Sequence, residues 1–451
     1  MKQLLRKLQG LLGIDGAISY TILGKGVGVI TTVFTVFFIA RYLSPDEQGY
    51  YYTFASILSI QVFFELGLNN IITQFVAHEA SYLTLNAELK FEGPERNKSR
   101  LADLLRFCVK WYAIFAVIML VALLIVGVFF FKKYSDVEGV TWRLPWILLA
   151  TSSVINFLTA PINSFMQGLG KVKEIAAIRF FQQLVIPIVV WGGLMFGAKL
   201  FVSGLQTTLV VLVNVFYYYK YSFIKLLVNI LKQKITDTVR YMQEIFPYQW
   251  KIALSWISGY FTFQLFNPIL FAAEGAASAG RMGMTITAAS AIQGVLLSWI
   301  NTKVPLFSGL IEQRKFKELD SVFSSNLKKI ICLSLFLFTA FVLFVYGLQN
   351  STGSLLELGN RFTSLLPLII MSISIGLQIP VTSWATYLRC FLKEPFLVNS
   401  VTLGILSLVV ATFVGPRYGT MGLAIGYLCV QLISVLWARY IYVTKKKEYQ
   451  K

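Results

Sequence analysis

Residues 107–131 read FCVKWYAIFAVIMLVALLIVGVFFF, a run whose single charge is Lys110. At 1.5 Å per residue a helix of that length is about 37 Å long, enough to cross a hydrocarbon core about 30 Å thick. The pattern recurs along the chain. Of its 451 residues, 56% are hydrophobic and 14% charged, against about 25% charged in a soluble domain. That shortage of polar surface excludes a secreted domain, a cytosolic enzyme and a disordered chain. The reading is an all-α polytopic membrane protein with twelve spans, at 18–40, 49–76, 107–131, 144–168, 175–197, 200–219, 246–271, 281–304, 329–348, 362–388, 396–414 and 419–443.

Lys and Arg orient this array, because basic residues collect in loops that stay in the cytosol. With a cytosolic N-terminus, 31 of the 40 fall on the cytosolic side and eight outside, Lys25 alone lying within a span. Both termini are therefore expected in the cytosol. The formal charge of +19 follows from that asymmetry and does not call for a nucleic-acid partner. MKQLLRKLQGLLG at the start has no small-residue cleavage site and reads as a retained amphipathic surface helix. Segments 78–106, 220–245 and 305–328 are expected to be surface helices too. Cys108, Cys332, Cys390 and Cys429 fit neither a metal clip nor a disulfide framework and read as small buried hydrophobes. Tyr50–Tyr52 and Tyr217–Tyr219, at span ends, read as an interfacial aromatic belt.

Two halves echo each other. Leu144-Pro145 precedes Lys171 by the interval that separates Leu366-Pro367 from Lys393. Gly197-Ala-Lys199 before Gly204-Leu205 matches Gly415-Pro-Arg417 before Gly422-Leu423, and the turn Pro45–Gly49 is echoed by Ala276–Gly280. The expected organisation is a six-helix bundle over 1–219, a cytosolic amphipathic linker over 220–245 and a second six-helix bundle over 246–451. Six is even, so the repeat is parallel, a plan that puts a site between two bundles.

Several chemistries are missing from the chain. His78 is the only histidine, so neither a histidine metal site nor a Ser-His-Asp triad is available, and no catalytic or metal-ligating set is expected. No phosphate loop is present, so uphill transport would draw on an ion gradient, with a proton or sodium gradient as candidates, on the membrane potential or on substrate mass action. What remains are polar groups at membrane depth, which are costly and mark pathways or partners. Lys25 and Glu65 fall at similar depth on neighbouring spans, as a pair facing a cavity or as a structural tie between helices. Asn69, Asn267 and Asn301 are candidate substrate contacts, each otherwise a hydrogen-bonding tie between helices, as are Asn156, Asn163 and Gln167. Lys251, Lys303, Arg41 and Arg281, near span ends, read either as snorkelling anchors or as a cationic lining. Pro161, Pro187, Pro268, Pro305, Pro367 and Pro380 are expected to kink several spans.

The stretch Ala40-Arg-Tyr-Leu-Ser-Pro-Asp-Glu-Gln-Gly-Tyr50, followed by Glu65-Leu-Gly-Leu and later by Gly415-Pro-Arg417, resembles Wzx-type O-antigen and polysaccharide flippases of the multidrug/oligosaccharidyl-lipid/polysaccharide exporter superfamily. The resemblance implies a MATE-like pair of six-helix bundles in the bacterial inner membrane. It implies translocation of an undecaprenyl-diphosphate-linked oligosaccharide by alternating access, with Glu65 at the family's acidic position in span 2 and Lys25 as a looser match. A polysaccharide polymerase and a chain-length regulator are the further partners it suggests. A multidrug exporter of the same fold and a membrane polymerase or ligase remain open alternatives.

Overall fold

The computed structural model describes residues 16–134, 139–391 and 393–450; the N-terminal stretch read as a surface helix lies outside them. The described chain is helical except for its turns and one small antiparallel hairpin, Thr84–Leu85 against Phe91–Glu92. The elements are α1 Gly16–Tyr42, α2 Pro45–Leu58, α3 Leu68–Ala80, α4 Glu95–Tyr134, α5 Arg143–Gly168, α6 Val172–Met195, α7 Phe201–Lys220 and α8 Phe223–Leu231. Then follow α9 Phe246–Phe263, α10 Phe266–Glu274, α11 Ala276–Asn301, α12 Val304–Glu312, α13 Phe316–Gln349, α14 Leu365–Arg389, α15 Leu397–Val409 and α16 Gly415–Tyr449.

Among the described residues eight helices are long and apolar enough to cross a membrane, or nine with the bent pair Pro45–Glu65 and Leu68–Ala80, which turns by 41°. The expected twelve differ from this count where helices are short, broken or fused. The expected first span contributes only the shorter apolar stretch Gly26–Tyr42. The seventh breaks between α9 and α10, just ahead of Pro268, which lacks an N–H and crowds the preceding turn. The last two run together over Leu397–Tyr449, although Gly419 is non-helical there at φ 55° and ψ −143°. Segment 78–106, expected as a surface helix, instead holds the hairpin and the first turns of α4.

The helices form two compact units. The first comprises the described parts of 1–31, 61–130 and 141–253. Its centre is α5, which packs on α3 and α7. Close approach is set by small residues: a Cβ at Gly168 would lie 2.6 Å from Val76 Cβ, and one at Gly204 2.6 Å from Leu148 Cγ. Trp146, fully buried, donates through Nε1 to the Leu123 carbonyl at 3.2 Å and so ties α5 to the run that opened the sequence reading.

In the same unit the segment after α8 is strapped along α4. Arg96, Ser99, Arg100, Asp103 and Arg106 recur every three or four residues and share one helix face. Arg96 pairs with Asp237 at 3.0 Å, Ser99 Oγ accepts from the Thr236 and Asp237 amides, Asp103 accepts from the Val239 amide, and Arg106 donates to the Leu231 and Gln233 carbonyls. Arg100 bridges Glu79 (2.8 Å) and Glu244. The strap binds through backbone groups, so the helix over 220–245 is limited to Phe223–Leu231 and the π-type turn Tyr241–Ile245.

The second unit comprises the described parts of 32–60, 131–140 and 254–451. Here α2 packs on α11, and α14 on α16, α11 and α13. Helix α2 starts at a capping box: Ser44 Oγ accepts from the Glu47 amide at 3.1 Å, Glu47 Oε2 accepts from the Ser44 amide at 2.9 Å, and Pro45 sits in the first turn. The family-like stretch at 40–50 is therefore a helix start. Its Gly49 lies so close to α11 that a Cβ there would overlap the Ala276 carbonyl, while one on Gly280 would lie 2.7 Å from the Gly49 amide and 3.1 Å from the Pro45 carbonyl. Residues 45 and 49 thus meet 276 and 280 reciprocally, at a constant offset, as segments related by a twofold do.

Two expectations about side chains are corrected. Tyr50 and Tyr52 are 0% and 6% exposed and belong to the interior, Tyr50 stacking with Phe131 and edge-on with Phe271. Consecutive helical residues point about 100° apart, so a Tyr triplet cannot face one interface; of Tyr217–Tyr219 only Tyr219 is exposed. Of the free cysteines Cys108 is buried, whereas Cys332 and Cys429 are exposed and Cys390 is half-buried. The apolar faces of spanning helices are turned outward as well as inward, so an apolar run does not imply burial in protein.

Candidate functional site

The second expected span breaks at Glu65. After the single turn Val62–Glu65 the backbone turns left-handed at Leu66 (φ 48°) and Gly67 (φ 69°), and α3 begins at Leu68. Glycine suits that conformation, and Gly67 also abuts another chain segment: a Cβ on it would overlap Ile252 Cγ2. The break therefore presents a half-buried carboxylate at the turn and brings the turn against the residue following Lys251.

A chain of polar contacts starts from this carboxylate. Asn69 Nδ2 donates to Glu65 Oε2 at 3.4 Å, and Tyr112 Oη donates to Asn69 Oδ1 at 2.7 Å. Asn69 thus uses both ends of its amide and fixes Glu65 through the buried Tyr112 of α4. No described cation lies within ion-pair distance of Glu65. Lys25 is on α1, but its side chain, and with it the expected Lys25–Glu65 pair, lies outside the described residues. Lys251 is exposed, its ammonium 5.8 Å from the Trp250 ring.

The second unit holds the remaining candidates and does not gather them. Asn267, 9% exposed, donates to Ser56 Oγ at 3.1 Å and joins α10 to α2, with its Oδ1 buried and unpartnered. Arg41 is exposed in the last turn of α1, Arg281 and Asn301 are exposed on α11, and Lys303 is half-buried before α12. None of these four has a side-chain hydrogen bond or ion pair among the described residues. The sequence reading missed Tyr112 and Ser56, which complete the two clusters, and Gln48, which donates to the Gly280 (2.8 Å) and Arg361 (3.1 Å) carbonyls. Gln48 could have been noticed as an amide within the 45–49 turn; Tyr112 and Ser56 carry no local pattern.

No group of three or more His, Cys, Asp or Glu residues is disposed to hold a metal among the described residues.

Residues 16–311 match the model of a family described as polysaccharide biosynthesis protein. No curated protein matches the sequence. Among solved structures the fold is similar to a multidrug resistance MATE family transporter of the MOP superfamily in its inward-facing conformation, with a TM-score of 0.68 and 14% identity over 95% of this chain and 99% of that one. It is also similar to the lipid II flippase MurJ in an inward closed conformation (0.60, 13%, covering 94% and 87%) and to a MOP superfamily transporter from Pyrococcus furiosus (0.54, 13%, covering 96% of each). At such low identity the structural likeness shows a shared fold, all-α and multi-pass.

Proposed function

The chain belongs to the polysaccharide biosynthesis protein family, and from that premise we propose that it is a flippase carrying an undecaprenyl-diphosphate-linked oligosaccharide, an O-antigen or related repeat unit, across the bacterial inner membrane. The observation that carries this reading is the broken second span, where Glu65, Asn69 and Tyr112 form a polar turn at membrane depth beside the Lys251 segment. A glycan drawn through hydrocarbon would lose the hydrogen bonds of its hydroxyls, at roughly 2–7 kcal/mol for each unpaired polar group; a polar path removes that barrier.

In this account 1–219 and 246–451 are the two bundles that rock to open the path alternately to each leaflet, linked by 220–245, with both termini in the cytosol. Lys25, Lys251 and Lys303 hold the diphosphate by charge-assisted hydrogen bonds, Arg41 and Arg281 line the outer end, and Asn69, Asn267 and Asn301 contact sugar hydroxyls. The prenyl tail stays in the bilayer. The protein forms no covalent intermediate and needs no cofactor; a proton or sodium gradient drives net movement, and a polymerase and chain-length regulator take up the product.

Deleting the gene tests the proposal. Lipid-linked glycan should accumulate on the cytosolic face while surface glycan disappears, and the full chain supplied in trans should restore both. Unchanged glycan pools together with a gain in sensitivity to cationic drugs would instead make the chain a multidrug exporter.

A further inference from the structure

Within the first unit, α5, α6 and α7 form a partly open cavity of about 200 Å³, lined by polar side chains on all three helices and bordered by the exposed Arg179. Arg179 of α6 reaches it, about 10 Å along the helix from Val172, and no described carboxylate lies within 4 Å of its guanidinium. Three of the four neighbouring amides have their acceptors in use. Asn163 Oδ1 accepts from Tyr218 Oη at 2.9 Å, Asn156 Oδ1 from Thr159 Oγ1 at 3.3 Å, and Asn214 Oδ1 from Gln182 Nε2 at 2.9 Å. The Nδ2 groups of Asn156 and Asn163 donate to no described residue. The cavity therefore offers a guanidinium and two amide NH2 groups as donors, beside the Gln182 Oε1 acceptor, whose Nε2 is turned to Val210 and Asn214.

The second unit contains a matching cavity, also about 200 Å³. The four lining positions on α5 recur on α14 at an offset of 222, Asn156 falling on Gln378 and Asn163 on Ala385, and the four on α6 recur at an offset of 221, Arg179 falling on Ser400. The cavity is thus a property of both repeats, while the unpaired charge is confined to one. In the second, the nearby Arg389 is already neutralised by Glu394 at 2.7 Å.

We propose that the cavity of the first unit is a binding site for an oxyanion of phosphate size, held by Arg179 and the Asn156 and Asn163 amides. A guanidinium fork matches two phosphate oxygens, and the carboxamide oxygens of Asn156, Asn163 and Asn214 are each turned to a protein donor. The occupant is either free phosphate from the cytosol or the phosphate of an anionic lipid head group. The site goes beyond the flippase reading and does not depend on it.

The test uses the full chain in two arms. In neutral detergent, thermal unfolding is followed while inorganic phosphate is titrated at constant ionic strength. In nanodiscs of phosphatidylcholine with or without phosphatidylglycerol, retained anionic lipid is counted by native mass spectrometry. Saturable stabilisation by phosphate identifies a free oxyanion, and selective retention of phosphatidylglycerol identifies a head group. In either arm Arg179→Gln should weaken binding about tenfold or more and Arg179→Lys less. Asn163→Ala, which deletes one donor and keeps the charge, should weaken it too, and serves if Arg179→Gln does not fold. Binding equal to wild type in these variants, or no binding in either arm, overturns the site. Because neither arm measures glycan movement, this failure is distinct from failure of the proposed function.

Discussion

Glu65 has its carboxylate fixed by one amide, and that amide fixed by one phenol. If the charge serves transport, Glu65→Ala should lower surface glycan at least about tenfold at unchanged abundance, whereas Tyr112→Phe, which only frees Asn69, should lower it a few-fold. Equal surface glycan in Glu65→Ala and wild type would remove Glu65 from the path. The Lys25–Glu65 relation is accessible through a double-mutant cycle: a pair makes either single change worse than both together, and independence makes the effects additive. Asn267 carries a different expectation. Its loss leaves the 2%-exposed Ser56 hydroxyl unpartnered, so Asn267→Ala should cost about 1–3 kcal/mol, read as a lowered unfolding midpoint. Glu65 and Asn267 were legible in the sequence because a charge or amide inside an apolar run stands out. Tyr112 and Ser56 were not, because an aromatic or a serine in a span is ordinary until its partner is known.

Whole elements were legible where hydrophobicity is continuous, as in α4 and α13, and obscured where backbone geometry interrupts it. The turn at Leu66-Gly67 and the break before Pro268 depend on local dihedrals and packing that a hydropathy count averages away. The same holds for the strap along α4, which binds backbone amides and carbonyls and so leaves little trace in side-chain pattern. Glu244 anchors it: hydrogen bonding to Arg100 holds its carboxyl below the ordinary carboxylate value. A carboxyl whose folded pKa is depressed contributes stability above its unfolded pKa and loses it as pH falls through the folded value. Residues 236–244 should therefore keep high amide-exchange protection, taken relative to the intrinsic rate at each pH, at neutral pH and lose it once the pH falls below the usual carboxylate range, with Glu244→Gln already unprotected at neutral pH. Protection that is independent of pH in wild type and unchanged in the variant would dismiss the ion pair as an anchor. The seam between α2 and α11 is tested by Gly49→Val, whose side chain has no room against Ala276. It should separate the two helices and abolish transport, while the same change at Gly259, where a Cβ meets nothing within 4 Å, should be tolerated.

At the scale of the molecule, membrane class and family were readable from composition, charge asymmetry and the 40–50 stretch. The reciprocal meeting of 45–49 with 276–280 gives the sequence echo between those turns a physical form. The matched cavities of the two units add a second instance: their lining positions coincide while the side chains differ, Arg179 falling on Ser400 and Asn163 on Ala385. The central claim is that this chain moves a lipid-linked glycan between leaflets. The most direct test is the purified full chain in proteoliposomes holding an undecaprenyl-diphosphate-linked oligosaccharide in both leaflets, with a membrane-impermeant glycosidase added outside. The account predicts that the inner, protected pool is consumed in wild-type vesicles and persists in Glu65→Ala vesicles. A protected pool that persists equally with wild-type protein and in protein-free vesicles, under an imposed proton or sodium gradient as well as without one, would contradict it.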